Sequence, residues 1–446
     1  MIDALNNLLA FVVAISVLVA VHEYGHFIVG RWCGMKVLRF SIGFGKPLWM
    51  RVGKKDGTEY CISAIPLGGY VKFLGERTGT DETFDPEDEG RAFNHRPVWQ
   101  RIAVLLAGPL FNFIFALFVY WILSMSGTPT YRPTVGEVDA ESFAAAAGMR
   151  SGELLVAVGD RPAHDWGDAS LAIIEELVGN GQVPVTVETI RGEQRELVID
   201  VGGDARRLTE PEALYDGLGF RPGMPLAIAE NVQPGSPAEA AGLLPGDRII
   251  RVNQTDIVTF RDLVESVAEL ADKRAQFTVL RDGLSRDLWV DVGRVDTEAG
   301  PRGRIGVGSE YLRKFGPTAA LGEAVDRTVR MSVSTVNLLG NMVLGNVSVK
   351  NISGPISIAQ YVGESARSGF VYVLQVLALV SISLGVLNLM PIPVLDGGQI
   401  VYNTIEGIKG SPLSERAQLI GQQVGIVALL LLMSFAFYND IARVIN

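Results

Sequence analysis

Four long apolar segments limit what this chain of 446 residues can fold into. A helix that crosses the hydrocarbon core of a bilayer needs about 20 mostly apolar residues, and the positive mean hydropathy of the chain agrees with such helices. For any single segment, the alternative is a helix buried in a soluble core. We predict a polytopic α-helical membrane protein with about four spans, formed by residues 8–29, 102–125, 370–390 and, in the shortest segment, 424–438.

Basic residues at the ends of these segments predict an orientation. Cytosolic loops of membrane proteins are enriched in Lys and Arg, and the loop between the first two segments is basic at both ends, with Arg31, Lys36, Arg39 and Lys46 at its start and Arg91, Arg96 and Arg101 at its end. We expect this loop in the cytosol and the long region after the second segment outside. The acidic residues at 81–89 predict a solvated loop, and the composition does not indicate nucleic-acid binding.

The cytosolic loop carries a hairpin pattern. Apolar and polar residues alternate between residues 36 and 73, around the turn sequence KKDG at residues 54–57. Gly43 and Gly45, on either side of Phe44, would let this backbone pack against helices or enter the membrane where protein shields it. We predict a membrane-associated, re-entrant β-hairpin.

The outer region contains an internal repeat. The pattern consists of Ala-Ala-Gly and a further Gly four residues later. It ends at Gly152 in the first copy and at Gly246 in the second, 94 residues further on. The second copy, SPAEAAGLLPGDRII at residues 236–250, has the order helix, glycine, turn and strand, and it resembles bacterial PDZ domains. We predict two extracytoplasmic PDZ-like α+β domains.

A glycine loop lies ahead of the second copy. Gly217, Leu218, Gly219 and Phe220 match the loop of PDZ domains whose backbone N–H groups bind a peptide carboxylate, although four such residues can also form an ordinary turn. We assign the loop to the second copy and expect the first to lack one. Glu153 in the first copy replaces Asp247 of the second, which puts peptide binding by the first copy in doubt.

The segment from residue 321 to 358 is mildly amphipathic. Val333, Val336, Leu339 and Val343 follow helical spacing. We expect a helix that lies on the membrane or packs against the spans or the PDZ-like pair.

The sequence HEYGH at residues 22–26 places ionisable side chains inside the first apolar segment. His22 and His26 share one helical face, as a zinc site requires, and Glu23 beside them can take a proton from water. Ionisable groups in a membrane helix are costly to insert and point to function. The chain has four histidines, and we expect the other two, His95 and His164, at the surface.

A third zinc ligand must come from another segment. Asp396 follows the third apolar segment, where Pro391 and Pro393 end the helix and allow the chain to turn back. The predicted orientation puts both Asp396 and His22 toward the cytosolic side. An Asp-Gly turn outside the membrane is the open alternative.

Three motifs in this order and spacing resemble the site-2 protease family of intramembrane zinc metalloproteases. They are HEYGH, AGPLFN at residues 107–112 and NLMPIPVLDGG at residues 388–398. The resemblance implies one Zn2+ per chain held by His22, His26 and Asp396, with Glu23 as the catalytic base. It also implies substrate binding by Asn388, Pro391 and Pro393 and by a hairpin edge strand near Gly43, Phe44 and Gly45. For Asn112 we favour a hydrogen bond between helices.

The resemblance further implies a multi-pass protein of the bacterial inner membrane that cleaves single-span membrane proteins during an envelope stress response, such as an anti-sigma factor after a first cut, and remnant signal peptides. The alternative is a membrane receptor without catalysis whose PDZ-like domains bind exposed C-termini. The expected domains are 1–35 (first span), 36–97 (hairpin loop), 98–126 (second span), 127–213 and 214–310 (PDZ-like), 311–369 (connecting segment), 370–398 (third span) and 399–446 (fourth span).

Overall fold

The structure is a computed structural model that describes residues 2–76, 88–189, 192–210, 213–297 and 300–445. Most of the predicted acidic loop, residues 81–87, lies outside the described residues. The chain divides into two compact units. The first contains Met1–Ser126, Phe315–Asn337 and Ile352–Asn446, and the second contains Gly127–Lys314 and Leu338–Asn351.

The elements are numbered here in chain order. The α-helices of the described residues are α1 (Ile2–Trp32), α2 (Val98–Ser126), α3 (Phe143–Ala146), α4 (Trp166–Asn180), α5 (Ala205–Leu208), α6 (Ala213–Leu218), α7 (Pro237–Ala240), α8 (Phe260–Ala268), α9 (Pro317–Leu344), α10 (Pro355–Ser368), α11 (Phe370–Leu389), α12 (Asp396–Lys409) and α13 (Glu415–Ile445). The strands are β1 (Val37–Val52), β2 (Glu59–Phe73), β3 (Thr128–Thr130), β4 (Val135–Val138), β5 (Leu154–Val158), β6 (Arg161–Pro162), β7 (Gln182–Glu188), β8 (Gln194–Asp200), β9 (Phe220–Pro222), β10 (Ile228–Ala229), β11 (Asn231–Val232), β12 (Asp247–Val252), β13 (Thr255–Asp256), β14 (Arg274–Arg281), β15 (Leu284–Asp291), β16 (Gly293–Thr297), β17 (Gly300–Arg304), β18 (Val307–Gly308) and β19 (Tyr311–Arg313).

Each predicted apolar segment lies in a helix long and apolar enough to cross a membrane. These helices cover Leu5–Trp32, Val98–Ser126, Phe370–Leu389 and Glu415–Ile445. The last is longer than the short segment expected from hydropathy, because the same helix continues on both sides of that segment, through residues 415–423 and 439–445. The four helices therefore agree with a polytopic membrane protein.

The last helix, α13, is tied to α10 by a buried carboxylate. Asp440 is fully buried and accepts hydrogen bonds from the backbone N–H groups of Gly354 and Ile356, at 2.9 and 2.8 Å, and from the Ser357 hydroxyl at 2.6 Å. The Asp440 side chain thus satisfies N–H groups that the start of α10 leaves without helical partners. This contact fixes one end of α13 in the first unit.

The predicted hairpin is confirmed, and it is more folded than a simple pair of strands. The first part of β1 pairs on one side with the start of β2, as in Phe40 opposite Tyr60, and on the other side with its end, as in Phe40 opposite Val71. The second part of β1 returns along the start of β2, with Arg51 opposite Tyr60. Two bent strands therefore make a four-stranded sheet whose outer strand, residues 47–52, is exposed.

The second unit contains two apolar cores with the same order of elements. In the first, α4 packs on a sheet with strand order β6-β5-β7-β8. In the second, α8 packs on a sheet with strand order β10-β12-β14-β15, and β13 pairs with β12. The serines that cap the short helices α3 and α7, Ser142 and Ser236, are themselves 94 residues apart. The internal repeat is thus a repeat of structure.

The assignment of the Gly217–Phe220 loop to the second copy is wrong. Leu214, Leu218 and Phe220 lie in the first core, and β9, which starts at Phe220, pairs with β4 of the first copy. The first domain consequently extends past residue 213, its predicted end. Its last strand, β9, follows α5 and α6 in the chain. The change from strands to helices after β8 therefore does not mark the end of the first domain.

The second copy has a loop of its own that the sequence comparison missed. Gly219 has a positive φ and lies against Ser142, and Gly306 has a positive φ and lies against Ser236 in the same way. After Gly306, β18 pairs with β11, as β9 pairs with β4. The sequence GRIGV at residues 303–307 therefore corresponds to the Gly217–Phe220 loop.

Glu153 of the first copy and Asp247 of the second have the same structural role, since each binds an arginine of its own repeat. Arg281 binds Asp247 through two hydrogen bonds of 2.6 Å and also donates to the Gly242 carbonyl at 2.8 Å. In the first copy, Arg195 binds Glu153 and the Gly148 carbonyl. In each repeat, the acid and the arginine thus link the equivalent turn to a strand of the sheet. The presence of Glu153 in the first copy therefore gives no reason to doubt peptide binding there.

The predicted amphipathic helix is α9. Its buried residues include Ala320, Ala324 and Thr328, whereas Leu321 and Val325 are exposed. Its first half contacts α2, where the Trp121 indole donates to the Pro317 carbonyl at 3.0 Å and the Arg327 guanidinium lies 4.8 Å from the centre of the Tyr120 ring. This half therefore contacts a candidate span, and packing along the span stays a prediction. A position on the membrane surface stays a prediction for the exposed face.

We expect Arg281→Met to loosen the second repeat, because Asp247 is 1% exposed and would lose its cationic partner. Breaking a buried ion pair costs about 3–5 kcal/mol, which corresponds to amide exchange faster by roughly 100-fold or more in β12 and β14 if they open together. Hydrogen-exchange mass spectrometry on the intact chain measures this. The matched control is Arg251→Met, which breaks the exposed pair with Asp256 and should cost under about 1 kcal/mol. Equal exchange in both variants would contradict the expectation.

Candidate metal centre

Helix α1 brings the two imidazoles together. His22 and His26 are one turn apart, and their Nε2 atoms are 3.2 Å from each other. The rings meet edge to face, with centroids 4.8 Å apart. Both lone pairs can therefore point to one position between the rings.

Asp396 reaches the same position from the other end of the chain. Helix α11 ends at Leu389, where Met390 turns to an extended conformation, and the proline-rich connection leads directly into α12. Asp396 is the first residue of α12, and its Oδ2 lies 3.2 Å from His22 Nε2 and 3.5 Å from His26 Nε2. The turn after the third span thus brings the carboxylate back to the histidines.

This turn requires glycine after the aspartate. A side chain at Gly397 would collide with the carbonyl oxygens of Leu389 and Met390, and one at Gly398 would collide with the Ile392 carbonyl. Both glycines are buried. The start of α12 can therefore fold closely against the end of α11 only because these residues lack a Cβ atom.

The three side chains fit a zinc ion. Two ligand atoms that each lie 2.0–2.2 Å from zinc at a tetrahedral angle are about 3.4 Å apart, and the separations here are 3.2, 3.2 and 3.5 Å. Two imidazole nitrogens and one carboxylate oxygen also form a ligand set of catalytic zinc sites, in which the fourth position takes water. Among the described residues, His22, His26 and Asp396 form the group able to hold a metal.

Helix α2 contacts both imidazoles at their Nδ1 atoms, on the side away from Asp396. His26 Nδ1 donates to the Val104 carbonyl at 2.7 Å, and the Asn112 side chain lies 3.2 Å from His22 Nδ1. The predicted hydrogen bond of Asn112 between helices is confirmed, and its partner is a candidate metal ligand. Between these two contacts, Gly108 lies directly against both rings.

Glu23 lies beside the ligands and outside the group that could hold the metal. It is 8% exposed. The end of the hairpin passes over it, since a Cβ atom placed on Gly69 would be 2.9 Å from Glu23 Cγ. The hairpin therefore approaches the candidate base through Gly69, whereas the predicted residues Gly43, Phe44 and Gly45 lie at the bend of β1, where Phe44 stacks on Tyr70.

An ion pair between distant segments holds α12 in place. Arg101 of α2 donates two hydrogen bonds to Glu406 of α12, at 3.1 and 2.6 Å, and both side chains are largely buried. The two residues are 305 positions apart, so sequence reasoning had no pattern that could link them. Since Asp396 begins the same helix, the pair helps to position the carboxylate.

Comparisons with known proteins identify the family. The model of peptidase family M50 matches residues 10–432. The chain is 42% identical to the regulator of sigma E protease of Salmonella typhi, over 99% of this chain and 100% of that protein. It is also 42% identical to the regulator of sigma-E protease RseP of Escherichia coli (strain K12), with the same coverage. A protein of Ralstonia nicotianae named as a candidate zinc metalloprotease is 40% identical over 98% of both chains.

The chain belongs to peptidase family M50. This confirms the predicted resemblance to site-2 proteases and makes the chain a metalloprotease.

The other predicted residues of this M50 protease are not members of the ligand group. Asn388 is in the last turn of α11, and Pro391 and Pro393 are in the connection to α12. His95 is in a short 3-10 helix, and the His164 carbonyl accepts a hydrogen bond from the Tyr311 hydroxyl. The Gly217–Phe220 loop belongs to the second unit.

We expect Gly108→Ala to weaken zinc binding by this M50 protease on the order of 10-fold or more, because the new methyl group would displace both imidazoles. Alanine otherwise favours a helix over glycine, so a lower zinc affinity would report on the site. Competition with a chelator, followed by metal analysis, measures it. The control is Gly322→Ala in α9, where the added methyl group meets open space. Wild-type zinc affinity in Gly108→Ala would contradict the prediction.

Proposed function

We propose that this chain is an intramembrane zinc protease that hydrolyses a peptide bond within the transmembrane segment of single-span membrane proteins. The observation that carries the proposal is the meeting of His22, His26 and Asp396 at helices that could span a membrane, with Glu23 buried beside them. We propose one zinc ion per chain, because the described residues contain one such ligand group.

The chemistry divides between metal and protein. Zinc, when bound, supplies a Lewis acid that lowers the pKa of water and polarises a carbonyl. The Glu23 carboxylate lies next to the ligands and is not one of them, so it takes the proton from the attacking water and then gives it to the leaving amine. Placing the carboxylate on the same helical turn as His22 and His26 keeps it within reach of both events.

A transmembrane substrate must unwind before it is cut, because helical hydrogen bonds occupy its carbonyl groups. The exposed outer strand of the hairpin, residues 47–52, offers free backbone groups to an extended segment. The bend at Gly43, Phe44 and Gly45 sets the direction of that strand. We assign Asn388 and the Pro391 to Pro393 connection to holding the substrate, because they lead directly to Asp396.

The relatives named as regulators of sigma E support a substrate class. We propose a single-span anti-sigma factor after a first cut, with remnant signal peptides as a second class. The protein would lie in the bacterial inner membrane, with the metal toward the cytosol and the two repeats outside, as the basic loop ends indicate.

We also propose that the two repeats are PDZ-like domains that inspect the outer part of a substrate. Each has a glycine loop followed by a short strand, at residues 217–220 and 303–307. Such loops can bind a C-terminal carboxylate, and a pair of folded domains can also exclude bulky ectodomains.

We expect Glu23→Gln to abolish cleavage of a model transmembrane substrate and to leave zinc bound, because the amide cannot accept the proton and Glu23 is not a ligand. Losing a general base lowers the rate by about 10²–10⁴-fold. Cleavage in detergent or vesicles and metal analysis of the same sample measure both effects. The control is Glu364→Gln on the exposed side of α10.

This experiment also separates the proposal from a receptor without catalysis. A receptor would bind C-termini through the two glycine loops and would cut nothing, with or without Glu23. Wild-type protein that holds zinc but cleaves no transmembrane substrate would favour the receptor. Normal cleavage by Glu23→Gln would refute the role of Glu23 as base.

For the outer repeats, we expect a substrate with an intact folded ectodomain to be cleaved more slowly than the same substrate trimmed to a short stub. The reason is that a stub can pass the domains and present a new C-terminus. Cleavage of both forms by the intact chain measures the difference. Equal rates would remove size exclusion from the proposal.

A further inference from the structure

Asn112 is a fully buried polar residue whose role the proposed reaction leaves open. Its side chain lies 3.2 Å from His22 Nδ1, and its own carbonyl accepts a hydrogen bond of 2.9 Å from Ser381 on α11. In the orientation found, Nδ2 faces the imidazole and the buried Oδ1 has no hydrogen-bond partner among the described residues. Unpaired buried polar atoms of this kind are costly.

The proton positions on the two imidazoles follow from which nitrogens face the metal. For both histidines it is Nε2 that faces Asp396, so a neutral imidazole bound there carries its proton on Nδ1. Such an N–H group needs an acceptor, which orients the ring and raises the basicity of the ligand. For His26 that acceptor is the Val104 carbonyl at 2.7 Å.

His22 requires the same kind of partner, and the structure offers it the side chain of Asn112. An Nδ2–H group facing an Nδ1–H group would put two donors together. A half-turn of the amide brings Oδ1 to the imidazole instead, since the oxygen and nitrogen of an amide occupy similar positions. The buried oxygen then gains a donor.

We propose that Asn112 is a positioning residue for the metal centre: its Oδ1 accepts a hydrogen bond from His22 Nδ1–H and thereby fixes His22 in the tautomer that presents Nε2 to zinc. This inference rests on the proposed metal site. Helix α2 then supports both histidines, through a backbone carbonyl at His26 and a side-chain carbonyl at His22.

Two substitutions of similar size separate an acceptor from a structural contact. Asn112→Leu removes the acceptor, and we expect the zinc dissociation constant to rise 10- to 100-fold. Asn112→Asp keeps an acceptor and cannot offer the amide N–H, so we expect its zinc affinity to stay within a few-fold of wild type. Chelator competition on purified full-length protein in detergent measures both without any substrate.

The control is Ser381→Ala, which breaks a bond between α11 and α2 at the backbone of Asn112 and leaves the imidazole untouched. It should bind zinc as the wild type does. Unchanged zinc affinity in Asn112→Leu, or equal losses in Asn112→Leu and Ser381→Ala, would overturn the proposal.

If Asn112→Leu does not fold, Asn112→Asp still tests whether Asn112 acts as a hydrogen-bond acceptor. A loss of more than 10-fold in Asn112→Asp would mean that the amide N–H is needed, and the acceptor role would be wrong. Failure of the wild type to bind zinc would refute the proposed function itself, which is a different result.

Discussion

Ionisable side chains inside an apolar helix are the constraint on which the rest of this structure depends. His22, Glu23 and His26 occupy one turn of α1, in a helix long and apolar enough to cross a membrane, where an unpaired polar or charged group costs several kcal/mol. The surrounding elements supply partners for the imidazoles: Val104 and Asn112 from α2 and Asp396 from α12. The same contacts that make the histidines tolerable in the membrane also orient them as metal ligands.

Meeting this constraint requires backbones to approach one another closely, which explains the small residues around the site. Helix α2 can lie against both imidazoles because Gly108 has no side chain, and α12 can start beside the end of α11 because Gly397 has none. The prolines of the connection also allow close approach, since they follow the end of α11 and let the chain turn back toward the histidines. Several residues of the sequence motifs, such as Gly108 and Gly397, therefore matter because they let backbones lie close together. Only a few residues of these motifs are candidate ligands.

The sequence predicts the parts of this protein that depend on local pattern. Spacing alone pairs His22 with His26, and apolar length alone finds the four candidate spans. Asp396 required topology and resemblance, because nothing near it in the chain shows what it faces. The ion pair of Arg101 with Glu406 could not be predicted, since two charges 305 residues apart leave no periodicity. The predicted boundary at residue 213 is wrong because the last strand of the first copy, β9, follows α5 and α6 in the chain.

The candidate metal ligands come from elements that only the packing of helices brings together, so assembly of these helices would be coupled to metal affinity. Helix α12 is held at its first residue by the ligand group and about 15 Å further on, at Glu406, by Arg101. Any change that shifts α12 along α2 must move Asp396 away from the histidines or break a largely buried ion pair. Ligand binding at such a site stabilises the arrangement that forms it. A metal held by His22, His26 and Asp396 would therefore also link α1 to α12 and stabilise the arrangement of these helices.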